Sequence, residues 1–406
     1  MTLVLDESSL VEQENAQLLF REARQRRRRL RVARAIIAVV VLVAVAVIGI
    51  ELRVVPGVSP RSHPPGSPPP SVSGDHSGAT LVYAYNNLRV INADTGASRS
   101  LPLPAPEGGS SDLQMVKIGD SLLLNRGNTA WLYRPSLDGP PVDLGPSLRV
   151  IPGPTADEAW IWSDPCAAVV GCSSPDNGRQ QGEVRLVDTS GNQIGSPIPL
   201  PADAAWFPTG QVVNAGLVMA NVYADPNADE IWNPISDRVI RVLPEANVLA
   251  AGGNLVAWTT GMACLPHCTV RLTNVQTGIE QTFQLPAGAT LTGGGAFSPD
   301  GFALALPVGI GGPWPEMHPT SVALVDLRAQ EVRLLAGAEQ KLEPNYGPVN
   351  VTWSSNGWLF AAAIGSTHVL AWRTGNHSAG VLPTARLPSF KNSLQSQNDL
   401  PTLIAM

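Results

Sequence analysis

The chain has 406 residues, of which 44% are hydrophobic and 15% charged, and its formal net charge is −6. Residues 1–34 hold eight arginines and five acidic residues, whereas the rest of the chain holds 19 basic and 28 acidic residues. Because this larger part is acidic, it lacks the basic surface on which nucleic-acid binding depends, and nucleic acid is not expected as a partner.

An uninterrupted apolar run from Ala35 to Ile50 predicts a transmembrane signal anchor within residues 35–54. The run is shorter than the roughly 20 residues of a typical span, but arginine side chains on both sides reach the interfaces and extend it. By the positive-inside rule, the arginine-rich residues 1–34 are cytoplasmic and the rest is extracytoplasmic. The capping box Ser9-Leu10-Val11-Glu12, with no Gly or Pro between it and Arg34, predicts that this segment is helical. The alternative is a signal peptide, but cleavage at Ala44-Val45-Ala46 would cut the apolar run in half.

Residues 55–78 are rich in proline, glycine and serine and predict a linker. Proline-rich chains extend by roughly 3 Å per residue, so this segment holds the next domain away from the membrane. Its two histidines, His63 and His76, are interpreted as solvated linker side chains rather than metal ligands.

Residues 79–386 contain seven related units with a spacing of about 44 residues. Each unit has an apolar strand, a variable loop, a second strand, a tight turn and a third strand, and a further short strand precedes it. The units are Thr80–Pro104, Ser121–Gly145, Ala159–Pro201, Gly216–Pro244, Asn254–Pro286, Phe302–Leu335 and Trp358–Pro383. Seven repeats of four strands predict an all-β, seven-bladed β-propeller of four-stranded blades, preceded by one transmembrane α-helix.

Turn sequences support the repeat. Asp94-Thr95-Gly96, Thr189-Ser190-Gly191, Gln276-Thr277-Gly278 and Thr374-Gly375-Asn376 suit hairpins that need positive φ. Ser298-Pro299-Asp300-Gly301 resembles the SPDG turn of bacterial TolB-like and WD40-like propellers, and Ser354-Ser355-Asn356-Gly357 is a degenerate second copy. The resemblance implies a seven-bladed propeller with a binding or scaffolding role, and it says little about chemistry.

The first unit lacks a preceding strand, whereas residues 387–406 extend beyond the last unit. This tail is predicted to supply the missing inner strand of the first blade, at Leu400–Ile404. A disordered tail is the alternative, because the sequence SFKNSLQSQND is polar.

Four cysteines form two close pairs, Cys166 with Cys172 and Cys264 with Cys268, each in the loop between the second and third strands of its repeat. In an oxidising compartment they predict two local disulfides. A zinc site at Cys264, His267 and Cys268 is the alternative, but it has only three ligands where structural zinc takes four.

The same inter-strand loops are longest in the third to sixth repeats and are predicted to lie on one face as a binding rim. Candidate rim residues are Trp232, Trp314, Asp225, Asp229 and His267. Asp225, Asn227 and Asp229 have the spacing of a calcium loop, but its glycine and final glutamate are missing, so no metal is assigned. The other tryptophans, Trp160, Trp162, Trp258, Trp353 and Trp372, alternate along strands and are interpreted as core.

No linear catalytic motif is present, and no catalytic residue or cofactor is assigned. The expected function is a membrane-tethered, extracytoplasmic binding or scaffold module for a protein or an envelope glycan. The alternative is a cell-surface propeller hydrolase or lyase that acts on a saccharide or peptide at the central channel. The two differ in whether several carboxylates and histidines meet at the channel mouth.

Overall fold

A computed structural model describes residues 76–84, 88–104, 113–134, 139–163, 182–201, 206–221, 228–260, 268–310, 320–336, 349–363, 368–373, 380–386 and 402–406. The chain divides into residues Met1–Ser73 and Gly74–Met406, and all the described residues belong to the second part. The predicted signal anchor therefore lies outside the described residues. None of the residues described belongs to a helix with the length and apolarity that crossing a membrane requires.

Strand follows strand along the chain, as the alternating apolar pattern predicts. The strands up to residue 213 are β1 (Thr80–Ala84), β2 (Leu88–Asn92), β3 (Ser98–Leu101), β4 (Leu113–Ile118), β5 (Ser121–Arg126), β6 (Thr129–Tyr133), β7 (Val142–Pro146), β8 (Arg149–Pro152), β9 (Glu158–Ser163), β10 (Glu183–Asp188), β11 (Gln193–Pro199) and β12 (Trp206–Val213). The next strands are β13 (Gly216–Asn221), β14 (Ala228–Asn233), β15 (Arg238–Pro244), β16 (Ala246–Gly252), β17 (Leu255–Thr260), β18 (Thr269–Asn274) and β19 (Glu280–Gln284). The last are β20 (Ala289–Leu291), β21 (Ala296–Phe297), β22 (Ala303–Ile310), β23 (Thr320–Asp326), β24 (Glu331–Leu334), β25 (Val349–Trp353), β26 (Trp358–Ala363), β27 (His368–Arg373), β28 (Gly380–Arg386) and β29 (Thr402–Ala405).

The described strands form seven antiparallel sheets, and each sheet is one blade of a β-propeller. Blade 1 is β29-β1-β2-β3, and blades 2, 3, 4, 5 and 7 are β4–β7, β8–β11, β12–β15, β16–β19 and β25–β28. In blade 6, β20 and β21 both pair with β22, so its inner strand is divided in two before β23 and β24 follow. The predicted fold, all-β with seven four-stranded blades, is confirmed for the propeller.

The inner strands form a closed ring around the centre. Each one contacts the inner strands of both neighbouring blades, and β29 contacts β25 on one side and β4 on the other. The sequence places the inner strand of blade 1 at Leu400–Ile404, and in the structure it is Thr402–Ala405. It pairs with β1 from Leu81 opposite Ala405 to Ala84 opposite Thr402. Strands from the two ends of the domain therefore share one sheet, which leaves no open edge in the ring.

Apolar seams fill the space between neighbouring blades. Trp160 and Trp162 of β9 pack with Leu217 and Met219 of β13, between blades 3 and 4. Trp353 and Trp372 lie between blades 6 and 7, where their rings meet edge to face at 6.1 Å. The interpretation of the alternating tryptophans, Trp258 among them, as core is confirmed.

The SPDG turn and its second copy are held by similar hydrogen bonds of the serine hydroxyl. In the connection from β21 to β22, the Ser298 hydroxyl donates to the Asp300 carboxylate at 2.6 Å and accepts from the Ala303 amide at 2.9 Å. In blade 7, the Ser354 hydroxyl lies 2.5 Å from the Asn356 side-chain oxygen and accepts from the Trp358 amide at 3.0 Å. A serine at the first position therefore fixes the hairpin in both blades.

The start of the domain is held between blades 1 and 7. The Ser77 amide and hydroxyl donate to Asp94 Oδ1 at 2.5 and 2.7 Å, and the Gly78 amide donates to Asp94 Oδ2 at 2.8 Å. The side-chain amide of Asn356 donates to the Ser77 carbonyl. These bonds seal the same seam that β29 closes at the inner strand.

We expect Leu403→Ala in β29 to lower the free energy of unfolding by about 2–5 kcal/mol, because Leu403 is 4% exposed and its truncation leaves a cavity. Deletion of residues 387–406 should lower the melting temperature further. Ile279→Ala is the control, since Ile279 is 63% exposed, and we expect it to change stability by less than about 0.5 kcal/mol. Unchanged thermal melting after the deletion would show that the ring does not depend on this strand.

Candidate functional site

The two ends of the propeller differ in their connections. Because all strands within a blade are antiparallel, the connections from the first to the second strand and from the third to the fourth strand lie at one end, here called the turn face. The connections from the second to the third strand, and those from blade to blade, lie at the other end, here called the loop face.

Most connections at the turn face are short, and several of those in the described residues are held by hydrogen bonds from side chains. In blade 1, Asn92 Oδ1 accepts from the amides of Asp94 and Thr95, and in blade 5 Asn274 Oδ1 accepts from Gln276 and Thr277. Glycines at the ends of three predicted turns have positive φ, 68° at Gly96, 84° at Gly191 and 74° at Gly278. These turns confirm the predicted hairpins, and the fourth, at residues 374–376, lies outside the described residues.

The loop face carries the variable connections of blades 3 to 6. Residues 164–182 join β9 to β10, residues 222–227 join β13 to β14, residues 261–268 join β17 to β18, and residues 311–319 join β22 to β23. Most of the predicted rim and cysteine positions fall in these connections. Asp225, His267, Trp314, Cys166, Cys172 and Cys264 lie outside the described residues.

Trp232 does not belong to the loop rim. It lies near the turn-face end of β14, is 1% exposed and packs in the seam between blades 3 and 4. Its Nε1 donates to the Asp237 carboxylate at 3.1 Å. The prediction placed it beside the loop, but β14 already begins at Ala228, and strand alternation turns Trp232 towards the tryptophans of β9.

Asp229 lies at the loop-face end of β14 but is buried rather than presented to solvent. It is 7% exposed, and its Oδ2 accepts from the Val248 amide at 3.2 Å, between blades 4 and 5. Burial raises the pKa of its carboxyl to about 6, against the lowering effect of that hydrogen bond. A charged carboxylate is costly here because one hydrogen bond does not replace its hydration.

Glu230, the next residue of β14, is a second buried carboxyl, and it was not among the residues predicted from the sequence. It pairs with Met219, whose side chain packs between blades 3 and 4, so Glu230 faces the opposite seam from Asp229. Burial raises the pKa of Glu230 as well. The signal in the sequence was an acidic pair directly before the apolar Ile231 and Trp232, which indicates acids inside a strand rather than in a loop.

Cys268 is the one cysteine among the described residues. It is fully buried in a core cluster with Val270 and Leu285, and its carbonyl accepts from the Leu285 amide at 2.9 Å. It is not a free thiol. Its predicted bonding to Cys264 stays a prediction, because Cys264 lies outside the described residues.

Two cavities open at the turn face. One, of about 290 Å³, lies at the ends of the inner strands of blades 2 to 5 and is lined by Lys117, Glu158 and Asn214 together with backbone of the adjoining turns. The other, of about 480 Å³, lies between blades 2 and 3 and includes Asp120 and Asp157. In the part of the chain that the structure describes, no group of three or more His, Cys, Asp or Glu side chains is arranged to hold a metal ion.

Known proteins are similar to this chain in fold. No known protein family matches the sequence, and no curated protein matches it. An oligogalacturonate lyase solved in complex with manganese is 13% identical over 79% of this chain and 89% of its own, with a TM-score of 0.50. The Cps50 (Swd1) β-propeller domain of Myceliophteria thermophila is 13% identical over 73% and 97%, with a TM-score of 0.43. A prolyl endopeptidase is 18% identical over 67% and 42%, with a TM-score of 0.39. At these identities the similarity shows a β-propeller and leaves function open.

We expect Asp229→Asn to stabilise the protein above pH 6 and to have little effect near pH 4. Because the folded pKa of about 6 lies above the usual value of 3.8, the folded protein holds this proton more tightly, and stability falls as pH rises between these values. The side-chain amide of the variant carries no charge to bury, and its oxygen still accepts from the backbone amide of Val248. The gain in the free energy of unfolding is therefore at most about 3 kcal/mol.

Urea unfolding from pH 4 to pH 8 measures this difference. Glu331→Gln, at an exposed position on the outer strand of blade 6, is the control and should leave the pH profile unchanged. If the free energy of unfolding of Asp229→Asn differed from that of the parent by the same amount at pH 4 and at pH 8, the raised pKa of Asp229 would be contradicted.

Proposed function

We propose that this chain is a membrane-tethered, extracytoplasmic propeller, of the TolB-like kind, that binds a protein or an envelope glycan through its loop face. The observation that carries the proposal is the contrast between the two faces of the propeller. In blades 3 to 6, the connections between strands at the turn face have two to five residues, whereas the connections from the second to the third strand at the loop face have six to nineteen. Binding residues tend to lie on variable loops above a rigid scaffold.

Two further observations support a tethered arrangement. The apolar run in residues 35–54, with its preceding arginines, suits a signal anchor that leaves residues 1–34 in the cytoplasm. The domain begins at Ser77 and Gly78, which are bonded to Asp94 in a turn of blade 1 at the turn face. The linker of residues 55–78 therefore joins the propeller at the face opposite the proposed binding surface.

Buried Cys268 supports the proposed bond to Cys264, because it is not a free thiol. The bond between Cys166 and Cys172 is proposed from the sequence. Bonds between Cys264 and Cys268 and between Cys166 and Cys172 would close small loops at the loop face. Loops of this size remove little entropy from the unfolded chain, so the bonds stiffen the binding surface more than they stabilise the fold.

A propeller enzyme would place several carboxylates or histidines at the channel mouth. Glu158 is the one acidic residue among the described residues that line the cavity at the ends of the inner strands. The described part of this mouth therefore holds one carboxylate, and a propeller hydrolase or lyase stays the alternative function.

Site-specific photo-crosslinking on intact cells tests the binding surface. A photo-reactive amino acid at Thr260, exposed at the loop-face end of β17, should give crosslinked adducts. The matched control is Thr277, an exposed threonine in a turn of the same blade at the turn face. Adducts of equal yield at both positions, or at Thr277 alone, would contradict the proposal.

Thiol labelling tests the compartment and the disulfides together. We expect iodoacetamide to label none of the four cysteines in denatured protein from native membranes unless a reductant is added. With reductant, mass spectrometry should show all four alkylated. Labelling without reductant would argue against the disulfides and against export of the domain.

A further inference from the structure

Exposed aliphatic side chains concentrate at one place on the outside of the propeller. Among the described residues, the large hydrophobic side chains exposed to solvent include Ile235, Val239, Ile240 and Val242, all in the hairpin of β14 and β15. Ile194 of β11 is also exposed. It pairs with Leu186, which packs between blades 3 and 4, so Ile194 faces blade 4. These five residues are called the edge patch.

The outer strands of other blades have a different surface. In β3 the exposed residues are Ser98, Arg99 and Ser100. In β19 they are polar or acidic, and in β24 they are Glu331 and Arg333. Charged and polar side chains on an outer strand discourage pairing with another chain. β15 has Arg238, Arg241 and Pro244 of this kind, but among the described outer strands it is the one with three exposed aliphatic residues, Val239, Ile240 and Val242.

The edge patch adjoins unused backbone hydrogen-bonding groups. β15 is the last strand of its sheet, so among the described strands its outer edge has no neighbour. A bulge lies opposite Ile231 and Trp232, after which the pairing of β15 with β14 is regular from Arg241 to Pro244. An extended strand can add to such an edge, with main-chain hydrogen bonds supplying affinity and side chains supplying specificity.

The charges at the ends of β15 point to a particular partner. Exposed Arg238 begins the strand and exposed Glu245 follows its end, with the aliphatic residues between them. When this strand pairs antiparallel with another copy of itself, the positive end of each copy lies beside the negative end of the other. A surface of this kind is self-complementary about a two-fold axis, the commonest symmetry of soluble homo-oligomers.

We propose that the edge patch is a homodimer interface in which β15 pairs antiparallel with β15 of a second copy of this chain. With the bulged residue Ile240 left out of the register, a two-fold axis at Val242 brings the two Val242 side chains together and sets Arg238 of each copy beside Glu245 of the other. The paired sheets then bury Val239 and Val242, of which Val242 is 55% exposed in the single chain. This pairing sets the turn face of one copy beside the loop face of the other, and it does not rest on what the loop face binds.

Disulfide crosslinking of the full chain in cells tests the dimer. Val242→Cys lies near the axis and should yield a dimer on non-reducing gels after treatment with a membrane-permeant oxidant. The control is Ile279→Cys, an exposed aliphatic position in a turn of blade 5, which should remain monomeric under the same conditions.

Charge reversal tests the register. In the Val242→Cys chain, Arg238→Glu should lower the dimer yield by about fivefold, the change expected from two opposite-charge pairs across strands. Adding Glu245→Arg should restore the yield. Limited proteolysis checks the fold, because a folded variant resists the protease as well as the parent chain does. Equal dimer yields at Val242→Cys and Ile279→Cys, or a yield that the charge reversals leave unchanged, would overturn the inference.

Discussion

The pairing of β29 with β1 is the interaction on which the rest of the propeller depends. A ring of blades has no free edge only if its first and last blades meet, and here one blade contains strands from both ends of the domain. Its register, with Val82 opposite Ile404, joins residues more than three hundred positions apart. Closing so long a loop costs chain entropy, and the seven seams become fully packed only once it is closed.

Closure also separates the molecule into two unlike faces. At the turn face, side chains such as Asn92, Asn274 and Ser298 hold tight hairpins by bonding to backbone amides. At the loop face, the connections from the second to the third strand in blades 3 to 6 range from six residues to nineteen, whereas blade 2 has a two-residue turn there. In blades 3 to 6, the variation in length is therefore concentrated at one face of the rigid ring.

Two places depart from the ordinary pattern of apolar seams and polar surfaces. Asp229 and Glu230 put carboxyls into the seams on both sides of blade 4, where burial raises their pKa values. The outer strand of the same blade exposes Val239 and Val242 to solvent. The buried carboxyls lower the stability of the single chain, and the exposed valines lower its solubility. All four residues lie in the hairpin of β14 and β15. Blade 4 is therefore the part of the propeller whose sequence is least explained by folding alone.

Much of this fold could be predicted from the sequence because its determinants are local. Alternating apolar residues identified the strands, the turns marked their ends, and the missing strand of the first repeat pointed to the tail. Tertiary structure alone decided which side chains are covered. Trp232 was expected at the rim and Asp229 in a loop, but both lie inside β14, where the neighbouring blades bury them. The exposure of Val242 was equally hidden, because the alternation of a strand does not reveal whether a neighbouring blade covers that face of it.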